Sequence, residues 1–133
     1  MELVVDANIL FSALIKDGFT AKLFFNERLR LYTSEFILDE FRKYEELILK
    51  KTKRTPKDFI EIMIAMRELI TVIPEEEYDS FMSKAKEISP DEKDVAYIAL
   101  AMKLNCALWS NDKALKNQEV VKVYTSSEVK ELA

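Results

Sequence analysis

Five short apolar runs, set apart by longer stretches with apolar residues at helical spacing, constrain this chain more than any other feature. They are Leu3 to Val5, Leu31 to Thr33, Thr71 to Ile73, Cys106 to Trp109 and Val120 to Tyr124. Strands that alternate with helices predict a parallel sheet covered on both faces by right-handed crossovers, and the all-apolar runs agree with burial on both sides. The fold class is therefore α/β. In such sheets ligands bind beyond the carboxyl ends of the strands, near the point where strand order reverses.

Several stretches between the runs carry helix-start signals. Ser89-Pro90-Asp91-Glu92 reads as a capping box with proline at the first helical position, and Thr125-Ser126-Ser127-Glu128 as a second. Thr55-Pro56 and Pro74 followed by three glutamates open helices with proline and early acids. Asn105 is expected to end the helix 91–104 in a left-handed conformation. The 133 residues are expected to form one domain, 1–133, with a core of its own. No apolar run is long enough to cross a bilayer and no basic leader opens the sequence, so a cytoplasmic protein is expected, away from the membrane.

What the chain lacks limits its chemistry. With no histidine, one cysteine and one glycine, it cannot build a Ser-His-Asp or Cys-His site, a His/Cys zinc site, a Walker loop or a G-x-G-x-x-G turn. Catalysis must run on carboxylates, hydroxyls, amides, lysine or arginine. Cys106, next to Ala107, Leu108 and Trp109, is expected to be a small core residue. The net charge of -4 argues against broad nucleic-acid affinity but leaves room for a local basic surface.

Four carboxylates sit where a purely structural design would place something else. Asp6 ends the first apolar run, with Asn8 two residues on, and Asp112 follows the fourth in Trp109-Ser110-Asn111-Asp112. Each could serve as a helix N-cap. Glu40 shares a stripe with Phe36, Tyr44 and Leu47 on the helix 35–50, an acid beside an apolar face, while its neighbour Asp39 should point to solvent. Asp94 precedes a nearly continuous apolar helix, so it begins where solvent ends, and Asp91, three residues earlier, is a lesser outer candidate. Two strand ends and two helix starts on one sheet edge would crowd four negative charges, which is unstable without a cation. Hard ions with oxygen ligands suit such a set, Mg²⁺ or Mn²⁺ best, as one or two ions.

These residues resemble the PIN-domain nucleases, and the likeness spans essentially the whole chain. It is carried by Val4-Val5-Asp6-Ala7-Asn8 at the end of a strand, Glu40 in the helix after the second strand, Asp94 opening Asp94-Val-Ala-Tyr-Ile-Ala-Leu-Ala, and Ser110-Asn-Asp112 after the fourth strand. The resemblance implies a three-layer α/β/α sandwich around a parallel sheet of four to five strands. It implies a Mg²⁺- or Mn²⁺-dependent ribonuclease and often a homodimer. Its acidic quartet falls on Asp6, Glu40, Asp94 and Asp112, with Asn8 and Ser110 in support. Small stand-alone members often look like the toxin of a toxin-antitoxin pair, which would supply an antitoxin partner, while others process RNA. Asn105 departs from the glycine frequent at its turn.

With no histidine as general base, phosphodiester hydrolysis needs a metal to lower the pKa of water and to stabilise phosphate charge. Asp6, Asp94 and Asp112 are the first candidates to hold it, and Glu40 could bind directly or orient water. For RNA contact the densest basic run, Lys50-Lys51-Thr52-Lys53-Arg54, is a candidate, as are Lys113 and Lys116 behind Asp112. Phe11, Phe19, Phe24, Phe25, Phe59, Met63 and Met66 offer apolar surface for a twin subunit. The rivals are weaker. A non-catalytic RNA or protein scaffold has no need of repelling carboxylates, a response-regulator receiver wants a second acid beside Asp6 and a lysine after the last strand, and Asn8 disfavours a D-x-D phosphatase.

Overall fold

The computed structural model describes residues 1–15, 18–52 and 55–133. Five strands, β1 (Glu2–Val5), β2 (Arg30–Ser34), β3 (Ile70–Ile73), β4 (Ala107–Trp109) and β5 (Val123–Tyr124), pair in parallel throughout, in the order β3-β2-β1-β4-β5. The helices are α1 (Ala7–Ile15), α2 (Gly18–Phe24), α3 (Phe36–Thr52), α4 (Pro56–Leu69), α5 (Met82–Ile88), α6 (Val95–Leu104) and α7 (Ser126–Leu132). The chain steps outward from β1 to β3, then returns through α5 and α6 to lay β4 and β5 on the other side of β1. Strand order therefore reverses between β1 and β4, where Val5 pairs with Trp109.

Alternation of side chains along each strand sorts the core into two layers. Leu3, Val5, Leu31 and Trp109 face one cluster with Ile9, Leu10 and Leu14 of α1, Ile37, Phe41 and Ile48 of α3, Phe59 of α4 and Val129 of α7. Val4, Leu108 and Val123 face the other, with Ala85 of α5 and the almost wholly buried α6. This is the α/β/α sandwich. Each fully buried Leu or Val contributes about 1.5–3 kcal/mol, which explains why the three buried positions of the central strand, Leu3, Val4 and Val5, are all apolar and only the exposed Glu2 is polar.

Several local details differ from expectation. The box at Ser89 does not form: Ser89 Oγ instead donates to the Asp91 carbonyl at 2.6 Å, Asp91 caps a 3-10 turn over Glu92–Asp94 by accepting from the Lys93 amide, and α6 proper starts at Val95. Pro74 opens short 3-10 turns over Glu75–Glu77 and Asp79–Phe81, and the helix waits until Met82. Cys106 is only half-buried, because β4 starts one residue later. The last strand shrinks to two residues, since the Gln118 side chain bonds the Leu115 carbonyl and both backbone groups of Val121, folding the approach into a loop.

Other signals appear as written. Thr125 and Glu128 form a reciprocal capping box, Thr55 caps α4 with Pro56 behind it, and Asn105 turns left-handed at φ 51° while the Cys106 amide returns to the Ala101 carbonyl. Of the apolar residues expected at a dimer surface, Phe24 and Phe59 are core, Phe11, Phe19, Met63 and Met66 pack partly against it, and Phe25 is exposed. No helix among the described residues is long and apolar enough to cross a membrane.

Candidate active site

A cleft of about 270 Å³ opens beyond the carboxyl end of β1, with α3 on one wall and the start of α6 on the other. Asp6, Asn8, Glu40 and Asp94 line it, together with Lys93 and Tyr97. Asp6 is only 3% exposed. It occupies the N-cap of α1, accepting from the Ile9 amide at 2.9 Å, and Ser110 gives it a second hydrogen bond. The Ser110 hydroxyl also accepts from the Asp112 amide at 3.1 Å, so this buried serine ties the ends of β1 and β4 together. Asn8 is exposed at the cleft and contributes its backbone amide to Asp6.

Asp112 caps a 3-10 turn over Lys113–Asn117, accepting from the Ala114 amide at 3.0 Å. It is not among the residues that line the cleft, but its charge reaches both Asp6 and Asp94. The loop that carries it is anchored to α7: Ser126 Oγ accepts from Trp109 Nε1 at 3.0 Å and from Asn111 Nδ2 at 3.1 Å, and the Ser126 amide donates to Asn111 at 2.8 Å.

The electrostatics follow from this crowding. Burial pushes the Asp6 carboxyl up to about 6, against hydrogen bonds from Ser110 and Ile9 that favour its charged form, and the Asp112 charge adds to the rise. Asp94, half-buried, is pushed up to about 7 by burial and then by the charges of Asp6, Asp112 and Asp91, with Lys93 opposing. Asp91 therefore acts on the cleft through its field, while one of its carboxylate oxygens is taken by the Lys93 amide. Asp39 is exposed and lines a neighbouring cleft with Arg42 and Glu75.

As they stand, no three metal-ligating side chains among the described residues are gathered tightly enough to enclose an ion. The donor set nonetheless fits a hard divalent cation. Its members are carboxylates, and the two pushed furthest toward neutrality are the two a cation would return to the charged form.

The basic candidates fare unevenly. Lys50 and Lys51 are exposed at the end of α3, about a turn past Leu47 and Ile48 of the cleft wall. Lys53 and Arg54 lie outside the described residues. Lys113 is exposed beside Asp112, whereas Lys116 is engaged by Glu128, whose carboxyl it draws down to about 2. Two residues that sequence reasoning passed over line the cleft: Lys93, the one cation there among the described residues, and Tyr97. The available signal for Lys93 was its place next to Asp94. For Tyr97 it was the lone hydroxyl in a helix whose only other polar side chain is Lys103.

Comparisons with known proteins agree with the architecture. A chain from the crystal structure of VapBC2 from Rickettsia felis, bound to a DNA fragment from the promoter, superposes with a TM-score of 0.65 over 94% of this chain and 98% of that one. The two share 16% sequence identity, so the likeness is one of fold. No curated protein sequence matches. The family model described as PIN domain matches residues 4–131, nearly the full length, and on that match the chain belongs to the PIN-domain family.

Proposed function

We propose that this protein, folded as one domain over 1–133, is a divalent-cation-dependent ribonuclease that hydrolyses RNA phosphodiester bonds in the cleft beyond β1. The observation that carries this reading is Asp6, a carboxylate buried at the strand-order reversal and facing Asp94 and Glu40 across one cleft. Such a group is costly unless it has work to do. PIN domains are generally nucleases, which adds to the reading. One or two Mg²⁺ or Mn²⁺ ions held by Asp6, Asp94 and Asp112 would supply hydroxide at neutral pH and offset phosphate charge.

The chain's own residues divide the remaining work. Ser110 holds the Asp6 and Asp112 ends at a fixed separation, Asn8 presents an amide at the cleft, and Glu40 carries a further carboxylate from the opposite wall. Lys93 places positive charge at the rim, and Lys50, Lys51 and Lys113 extend it for the RNA backbone. The protein is proposed to act in the cytoplasm.

The VapBC2 neighbour favours the toxin of a toxin-antitoxin pair, with an antitoxin as protein partner, over an RNA-processing role. A homodimer is proposed through α4, where Ile60 and Ile64 stand more than half exposed one turn apart. The test compares wild type with Asp6→Asn and Asp112→Asn on single-stranded and hairpin RNAs, in Mg²⁺, in Mn²⁺ and with chelator. Cleavage should need the metal and vanish in both variants while they stay folded. Equal cleavage by the variants would remove the nuclease reading and leave the scaffold.

A further inference from the structure

One buried polar group in the cleft wall has no hydrogen-bond partner among the described residues. Tyr97 is 2% exposed, and its hydroxyl is a buried polar atom without a hydrogen bond among the described residues. A buried donor left unmade is costly, and phenylalanine would fill the same space without that cost. Folding alone therefore gives no reason for the hydroxyl, but its surroundings do. Tyr97 lines the cleft with Asp6, Glu40 and Asp94, and burial, followed by the charges of these acids, holds its pKa well above the ordinary range, so the hydroxyl stays a donor.

The neighbouring acceptors are not equally available. Asp6 already accepts from the Ile9 amide and from Ser110, and the Tyr78 hydroxyl is bonded to Ser34. Asp94, three residues before Tyr97 in the same run of chain, is one of the carboxylates that the cation would occupy under the proposed function. Glu40 reaches in from α3 on the facing wall, and its carboxylate has no hydrogen bond among the described residues. Thus a donor without an acceptor and an acceptor without a donor line one cleft from opposite sides.

We propose that the Tyr97 hydroxyl donates to the Glu40 carboxylate when the cleft holds a divalent cation, making Tyr97 a positioning residue that fixes Glu40 against Asp6 and Asp94. The proposal deepens the nuclease reading and rests on it for the use made of the cleft. Partners of this kind, one step removed from the ion, typically change metal affinity or activity by about 10- to 100-fold.

The experiment titrates Mn²⁺ calorimetrically into wild type, Tyr97→Phe, Glu40→Met and the double variant, and measures RNA cleavage by each. Tyr97→Phe should weaken Mn²⁺ binding and lower kcat by about tenfold with KM unchanged. Its metal-free thermal midpoint should hold or rise. In the Glu40→Met background, which leaves no acceptor for the hydroxyl, the second substitution should add almost nothing, the signature of two residues acting through one bond. Losses that multiply in the double variant, Mn²⁺ binding by Tyr97→Phe equal to wild type, or a lowered metal-free midpoint would each overturn the proposal. Coupled Mn²⁺ affinities in a protein that cuts no RNA would sustain the Tyr97–Glu40 bond and remove the nuclease reading.

Discussion

Replacing Asp6 by asparagine should stabilise the metal-free protein at neutral pH. In the unfolded chain this carboxyl titrates near 3.8, and in the folded protein near 6. Between those values the folded state holds a proton that the unfolded state has released. Stability therefore falls as pH rises through this window, and the loss is complete above it. A shift of about two units corresponds to roughly 3 kcal/mol at 1.36 kcal/mol per unit, and at 3% exposure little of it is screened by solvent. Asparagine cannot ionise and keeps an oxygen for the Ile9 amide, so Asp6→Asn lacks this loss. Thermal unfolding in chelator should give nearly equal midpoints for variant and wild type at pH 4. At pH 8 the variant should unfold about 10 °C higher, on the usual entropy of unfolding for a chain of this length. Steric differences between the two side chains cancel when the pH 4 and pH 8 gaps are compared. Added Mg²⁺ at pH 8 should raise the wild type and leave the variant nearly unmoved. Midpoints that run parallel across the pH range would show that the buried charge at Asp6 is compensated in some other way.

Further outcomes follow from other parts of the molecule. Ser126→Ala strands the buried Trp109 Nε1 donor and should cost about 1–3 kcal/mol in urea unfolding, with a change in tryptophan emission. Asn105→Gly keeps the left-handed turn and should leave the midpoint within about 0.5 kcal/mol, whereas Asn105→Ala should lose about 1 kcal/mol or more. Under the proposed function, Lys93→Gln should raise KM for RNA more than it lowers kcat and flatten the salt dependence of cleavage, since it removes a positive charge from the cleft lining and no carboxylate.

The strands and the position of Asp6 were legible because both depend on local chemistry. An apolar run that ends in Asp6 and enters a helix states its own boundary, and Thr55-Pro56 and the Thr125 box do the same for α4 and α7. The start of α6 was not legible, because Ser89 and Asp91 compete for the same capping role and the choice turns on hydrogen bonds between the two. The two-residue β5 was hidden for a related reason: the Gln118 side chain captures backbone that an apolar run would otherwise give to the sheet. Tyr97 escaped notice since periodicity sees only its ring. That its hydroxyl is both buried and unpaired is a property of packing, and no spacing rule reports it.

The pairing of Val5 with Trp109 has a consequence for how such a site can change. Asp6 follows directly on the last rung of that ladder and Asp112 lies in the loop three residues past Trp109, and the Ser110 hydroxyl bonds both of them. Glu40 and Asp94 ride on separate segments, and α3 packs against α1 partly through the edge-to-face meeting of Phe11 and Phe41 at 5.1 Å. Substitutions among those rings slide one jaw of the cleft while the other stays put. The width of the cleft can therefore drift through side chains that do not line its acidic floor, while Asp6 stays fixed at the end of β1.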